Sequence, residues 1–276
     1  MGLIQSILYG LFSGLAEFLP ISSSAHQALL LRLSGKAQRD PICDFFVDVA
    51  LLLAVLIGNR HLLGRVAREN RLLKMSRRSR KNSQISQGGY DIRLVKTAAI
   101  PMILGLCLQQ STRFLESNYL LLVLFLTLNG LFLYIPEHMR QANKEARHMS
   151  RFDGILLGIV SGFSVIPGLS RVAAGSSVAL LRGAGRQNAC TWVLLLSIPA
   201  LVVIVVFDLI ALLSSGFQML AFASIPGYLL SALFAFVGGW CGIQLLRFLS
   251  VRSGYGGFAF YSWGVAMLAL ILYLIT

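Results

Sequence analysis

The stretch "AEFLPISSSAH", residues 16–26, decides how this chain folds. Apolar residues flank it, "LIQSILYGLFSGL" (3–15) before and "QALLL" (27–31) after. A carboxylate, a proline, three consecutive hydroxyls and a histidine thus interrupt an otherwise greasy run. Pro20 lacks an N–H and clashes with the preceding turn, so no unperturbed α-helix passes through it. The apolar residues on either side are too few to cross a bilayer, which takes ~20 residues of helix. No cleaved signal peptide is expected, because a basic start is missing and Glu17 and Pro20 fall where an apolar core belongs.

The whole chain shares that greasy character. Its 276 residues are 56% hydrophobic and 13% charged, with mean hydropathy +0.74. Soluble domains carry about 25% charged residues. Runs such as "YLLLVLFLTLNGLFLYI" (119–135), "WVLLLSIPALVVIVVFDLIALL" (192–213) and "FAFYSWGVAMLALILYLI" (258–275) approach bilayer-spanning length. The composition therefore predicts an all-α, polytopic integral membrane protein, one membrane domain over 1–276. The net charge of +13 does not point to nucleic acid, because the cations are localised. Arg60, Arg65, Arg68, Arg71, Lys74, Arg77, Arg78, Arg80, Lys81, Arg93 and Lys96 stand against only Glu69 and Asp91. Such a bias over 59–96 holds the loop, 59–92, in the cytoplasm by the positive-inside rule, where it can meet anionic headgroups. Cys43, Cys107, Cys190 and Cys241 are scattered, which indicates neither a zinc site nor a disulfide framework.

Apolar segments fall at about 3–19, 21–34, 43–58, 93–110, 118–135, 152–166, 170–183, 188–213, 222–248 and 257–275. About six could span alone. The other four form two pairs, 3–19 with 21–34 and 152–166 with 170–183, each broken by a proline turn, "LPISSS" or "IPGLSR". These read as re-entrant helical hairpins. "GLFSG" (10–14) matches "GIVSG" (158–162) at an offset of 148 residues, and Pro20 and Pro167 follow in the same order. Ile100-Pro101 and Ile198-Pro199 then recur inside later segments. The order predicts an internal repeat, one copy over about 1–135, the second over about 152–248, with a final helix 257–275. With 59–92 and the basic "EHMRQANKEARHMSR" (137–151) inside and "STRFLESN" (111–118) outside, the hairpins open from opposite faces. That is an inverted-topology repeat whose broken tips meet near the midplane. Non-helical backbone survives there only against protein or a watery cavity.

The residues at those tips suit an anion. Ionisable groups inside membrane segments are costly and are functional candidates by default; Glu17 and Arg171 are the clearest. They read either as a buried pair that joins the hairpins or as part of a site. Arg171 supplies a fork of donors matched to phosphate oxygens, and Gly168 and Ser170 lead into a helix N-terminus that favours anions. Ser22, Ser23 and Ser24 begin another, and one of them serves as its cap. His26 follows within reach of a hydroxyl on the first helical turn, an arrangement that can activate an oxygen nucleophile or simply pack.

"GLFSGLAEFLPISSSAH", "SGFSVIPGLSR" with "WVLLLSIPAL", and the tail "GYLLSALFAFVGGWCGIQLLRFL…GGFAFYSWGVAML" resemble the bacterial undecaprenyl-pyrophosphate phosphatases of the bacitracin-resistance family. "DFFVDVALLLAVLI" resembles the span after the first hairpin, with Asp44 at an acidic position of the family. The resemblance implies a multi-pass protein of the bacterial inner membrane. It would convert a polyprenyl diphosphate to the monophosphate carrier at a site open to the outer face, for cell-wall lipid recycling. It also implies Ser23 as nucleophile, His26 as base or orienting group, and Glu17 as metal ligand or water activator. Arg171 and Ser170 would clamp the diphosphate, aided by Ser22, Ser24, Gly168 and Ser176. The expected cofactor is a divalent cation, Mg²⁺ or Ca²⁺; the expected partners are the lipid substrate and membrane lipids, with a homodimer allowed and no nucleic acid. The chain departs from the family at Ser13, where an acidic or amide residue is usual. It departs again at Val172-Ala173-Ala174-Gly175 after the arginine, and at Ser262 after Tyr261. Two other functions stay open: a polyprenyl-phosphate transporter or flippase that breaks no bond, and a structural or regulatory paralogue.

Overall fold

The computed structural model describes residues 3–35, 40–74, 88–112, 115, 118–139, 143–214 and 225–275. In chain order its helices are α1 (Leu3–Phe18), α2 (Ser23–Leu33), α3 (Pro41–Gly58), α4 (Arg60–Lys74), α5 (Gly88–Leu106) and α6 (Tyr119–Glu137). There follow α7 (Arg151–Gly162), α8 (Arg171–Leu181), α9 (Arg186–Ser214), α10 (Ile225–Arg252) and α11 (Gly257–Ile275). Each proline turn ends a helix, as its chemistry requires. α1 stops two residues before Pro20, and α2 begins behind Ser22, whose hydroxyl accepts the Ala25 N–H at 3.5 Å. Ser22 does so with φ 65°, a left-handed conformation uncommon for a residue with a side chain. Beyond Pro167 the chain turns through Gly168 (φ 101°), and Ser170 caps α8 by accepting the Ala173 N–H at 3.3 Å.

α2 and α8 have 11 residues each, or ~17 Å of helix against a hydrocarbon core of ~30 Å. Among the described residues five helices are long and apolar enough to cross: α3, α6, α9, α10 and α11. The sixth expected span, α5, has 19 residues but carries Asp91, Arg93 and Lys96 in its first turns. The protein is thus an all-α polytopic membrane protein. The basic loop expected over 59–92 is helical across α4. Arg77, Arg78, Arg80 and Lys81 lie outside the described residues, as do parts of the expected turns at 111–118 and 137–151.

Packing follows the small residues. α1 lies on α10 and α7 lies on α5; α3 packs with α9 and α10, and α6 with α11. A Cβ on Gly10 would fall on the Ser231 carbonyl, and one on Gly14 would fall on that of Ala235. In the second pair, a Cβ on Gly158 would stand 2.6 Å from Pro101 Cγ, and Gly162 faces Met102 and Gly105. The five-residue match of the sequence is therefore one small-xxx-small crossing used twice, which lets backbones meet where the lipid adds no hydrophobic drive. Phe18, Leu51, Trp192 and Leu196 fill the core between these helices. Trp192 Nε1 donates to Asp91 Oδ1 at 2.7 Å and fastens α9 to α5. Outward residues such as Ile100 and Met267 present apolar side chains to the surroundings.

Candidate functional site

Glu17 lies in the last turn of α1, the negative end of that helix, where an anion is disfavoured. Two opposed helix N-termini offset this. Ser23 and Arg171 are the first residues of α2 and α8, and both bind this one carboxylate. Ser23 Oγ donates to Glu17 Oε2 at 2.7 Å, and Arg171 Nη2 donates to Glu17 Oε1. Arg171 is 6% exposed, so the contact is an ion pair taken out of water. The two readings of the Glu17–Arg171 pair thus meet in one geometry: the residues join α1 to α8 and also line a shared cavity of about 100 Å³. Arg171 Nε is buried without a partner among the described residues.

Ser24 and Ser170 also line the cavity, with Gln27, Asp44, Asp48 and Gln109. The remaining expected residues are placed otherwise. Ser22 is the buried cap, and Gly168 N–H donates to Ser24 Oγ at 3.4 Å, tying one tip to the other. Ser176 Oγ donates back to the Val172 carbonyl at 2.6 Å, so its hydroxyl serves its own helix. His26 is off the cavity wall. Its Nδ1 stands 2.8 Å from the Ser22 carbonyl and its Nε2 stands 2.8 Å from Tyr261 Oη. A carbonyl only accepts, so Nδ1 carries the hydrogen and Nε2 accepts from the tyrosine. Ser23 is therefore joined to Glu17 rather than to His26.

Several residues that sequence reasoning passed over hold this arrangement. Asn129 Nδ2 donates to the Pro20 carbonyl and to Ser262 Oγ, both at 3.1 Å, and its Oδ1 accepts the Ser170 N–H at 2.9 Å. One fully buried amide thus satisfies backbone groups freed at both breaks. A lone amide inside "YLLLVLFLTLNGLFLYI" was the available signal. Gln27 Nε2 donates to Ser13 Oγ at 2.9 Å, so the hydroxyl at the position that departs from the family is engaged. Tyr9 donates to Asp44. Asp48 on α3 and Asp208 on α9 are brought close together where those helices pack. The four-residue spacing of Asp44 and Asp48 places them on one helix face and could have pointed to this wall.

Asn129→Leu is expected to leave three buried polar groups unmet, at about 1–3 kcal/mol each. A thermal midpoint in detergent should fall clearly below that of the unsubstituted protein. An unchanged midpoint would show that the amide does not join the breaks.

The family model for "Bacitracin resistance protein BacA" matches residues 6–268. The "Undecaprenyl-diphosphatase" of Halothermothrix orenii is 28% identical over 273 residues, covering 99% of this chain and 98% of that protein. The "Undecaprenyl-diphosphatase 1" of Shouchella clausii is 30% identical over 275 residues, covering 98% and 96%. The "Undecaprenyl-diphosphatase" of Maricaulis maris is 30% identical over 278 residues, covering 99% and 100%.

Proposed function

The chain belongs to the bacitracin resistance protein BacA family, and from that premise we propose that it is an undecaprenyl-diphosphate phosphatase. It converts a polyprenyl diphosphate to the monophosphate carrier in the bacterial inner membrane, for reuse in cell-wall synthesis. The observation that carries this reading is the convergence of Ser23 and Arg171 on one carboxylate in a polar cavity.

In this reading the terminal phosphoryl group of the substrate takes the place of Glu17 on Arg171, whose unpartnered Nε completes the fork. Backbone amides at the start of α2 and α8 favour the same negative charge. Glu17 takes the Ser23 proton, and Ser23 Oγ bonds to the terminal phosphorus. The anhydride P–O bond breaks, and the leaving monophosphate receives that proton. Water then attacks the phosphoserine, giving its proton through Glu17 to Ser23 as phosphate departs. His26, bonded through Nδ1 to the Ser22 carbonyl, fits the orienting role better than the base.

The cavity wall carries Glu17, Asp44 and Asp48 against Arg171, so a diphosphate needs added positive charge. A divalent cation, Mg²⁺ or Ca²⁺, would supply it. Among the described residues no three His, Cys, Asp or Glu side chains are grouped to hold a metal. Glu17 would be the carboxylate to hold it, since Mg²⁺ commonly takes only one or two protein carboxylates.

The short helices α1–α2 and α7–α8 are read as re-entrant hairpins of an inverted repeat, one copy over about 1–135 and the other over about 152–248. Exchanged packing supports this, since the first helix of each hairpin lies on a later helix of the other copy. The same exchange favours a second reading, a polyprenyl-phosphate transporter that uses these residues without breaking a bond. Phosphate release from a long-chain polyprenyl diphosphate, with Mg²⁺ or with chelator, tests the enzyme. Release that Ser23→Ala does not abolish would refute the assignment of Ser23.

A further inference from the structure

Resting on that phosphatase reading, we propose that Gln109 is a second anchor for the diphosphate and gives the cavity its preference for diphosphate over monophosphate. Gln109 opens a helical turn, Gln109–Thr112, just beyond α5. Thr112 Oγ1 donates to the Val165 carbonyl at 2.8 Å, which ties this turn to the approach to Pro167. The Gln109 side chain lines the same cavity as Glu17, Ser23 and Arg171. Its Oε1 is buried with no hydrogen-bond partner among the described residues.

A buried amide oxygen left unmet is rare in folded proteins and marks a polar group able to meet a ligand or a water. The two ends of a carboxamide have nearly the same shape, so rotation about the last torsion presents the NH₂ group to the cavity instead. A phosphate oxygen would then satisfy an amide that otherwise has no partner at that end. Two other cavity residues are committed elsewhere: Gln27 to Ser13, and Ser170 to the Leu19 carbonyl and to the Asn129 amide. Arg171 and Ser23 share one locus, the Glu17 carboxylate, which has the span of one phosphoryl group. The second phosphoryl group of a diphosphate needs a donor away from that locus. Gln109 offers a neutral one, which adds no charge that would hold the monophosphate product.

The test uses full-length protein in detergent, with inorganic pyrophosphate and inorganic phosphate as probes, each titrated by calorimetry and as an inhibitor of phosphate release. Gln109→Leu should weaken pyrophosphate about tenfold, one hydrogen bond's worth, and leave phosphate within about twofold. Gln109→Glu keeps the shape but faces the probe with a carboxylate, and should weaken pyrophosphate further than Leu does. It also keeps the test informative if the leucine variant does not fold. Equal weakening of both anions, no change in either, or no preference for pyrophosphate in the unsubstituted protein would overturn the proposal. Arg171→Ala separates the two ideas. If it leaves both anions bound, the phosphatase site itself is misplaced, whereas Gln109 fails only on the ratio.

Discussion

Arg171→Ala is expected to lower phosphate release by about 10²- to 10³-fold, the usual effect of removing one preorganised donor from developing charge in a water-poor site. Two losses combine in that variant. The transferring phosphoryl group loses its cation, and Glu17 becomes a carboxylate without a counter-charge in a part-buried position. Removing one partner of a buried pair also destabilises by about 3–5 kcal/mol, so activity has to be read per folded molecule. Arg171→Lys resolves the ambiguity. It restores charge beside Glu17 and hence most of the fold, but an ammonium lacks the planar fork. Stability should return while turnover stays low. Full turnover with lysine would mean that only charge is needed; full turnover with alanine would remove Arg171 from the site.

Gly158→Leu should have the largest structural effect of any single change considered. The new side chain would drive into the Ala98 carbonyl and Pro101, which belong to another helix and cannot rotate aside. Overpacking by a few atoms costs about 1–3 kcal/mol, and here four carbons meet backbone. We expect α7 to leave α5, the second tip to lose its place, and folded yield to collapse. Gly64→Leu is the matched control, because nothing stands within 4 Å of a Cβ built there. Its yield should match that of the unsubstituted protein. Equal behaviour of the two variants, by size-exclusion profile and thermal midpoint, would contradict the crossing described here.

The same glycine pattern shows how far the sequence could be read. "GLFSG" and "GIVSG" marked two helices that cross their neighbours through small residues. Pro20 and Pro167 marked breaks between helices because polar and turn-forming residues accompany them, whereas Pro101 and Pro199, set within apolar runs, sit inside helices. Glu17 and Arg171 stood out because charge in an apolar run needs a reason. What could not be read was pairing at long range. Nothing near Asn129 tells that its amide meets Pro20 and Ser170, residues 109 and 41 positions away. His26 looked like a partner for Ser23 from spacing alone, yet its second nitrogen is claimed by Tyr261, 235 positions on. Asp48 and Asp208 each sit in a different apolar run, and only the packing of α3 on α9 brings them into contact. Of the six expected spans, α5 differed because its first turns are charged.

We propose that the chain breaks at Pro20 and Pro167 build one site that hydrolyses a diphosphate rather than carrying it. ³¹P NMR of a long-chain polyprenyl diphosphate, followed with the purified protein in lipid bilayers with Mg²⁺, tests this most directly. The expected result is loss of both diphosphate resonances and growth of equal monoester and phosphate signals, with neither change in Ser23→Ala. Intact diphosphate resonances, with the lipid moved to the opposite leaflet, would contradict it.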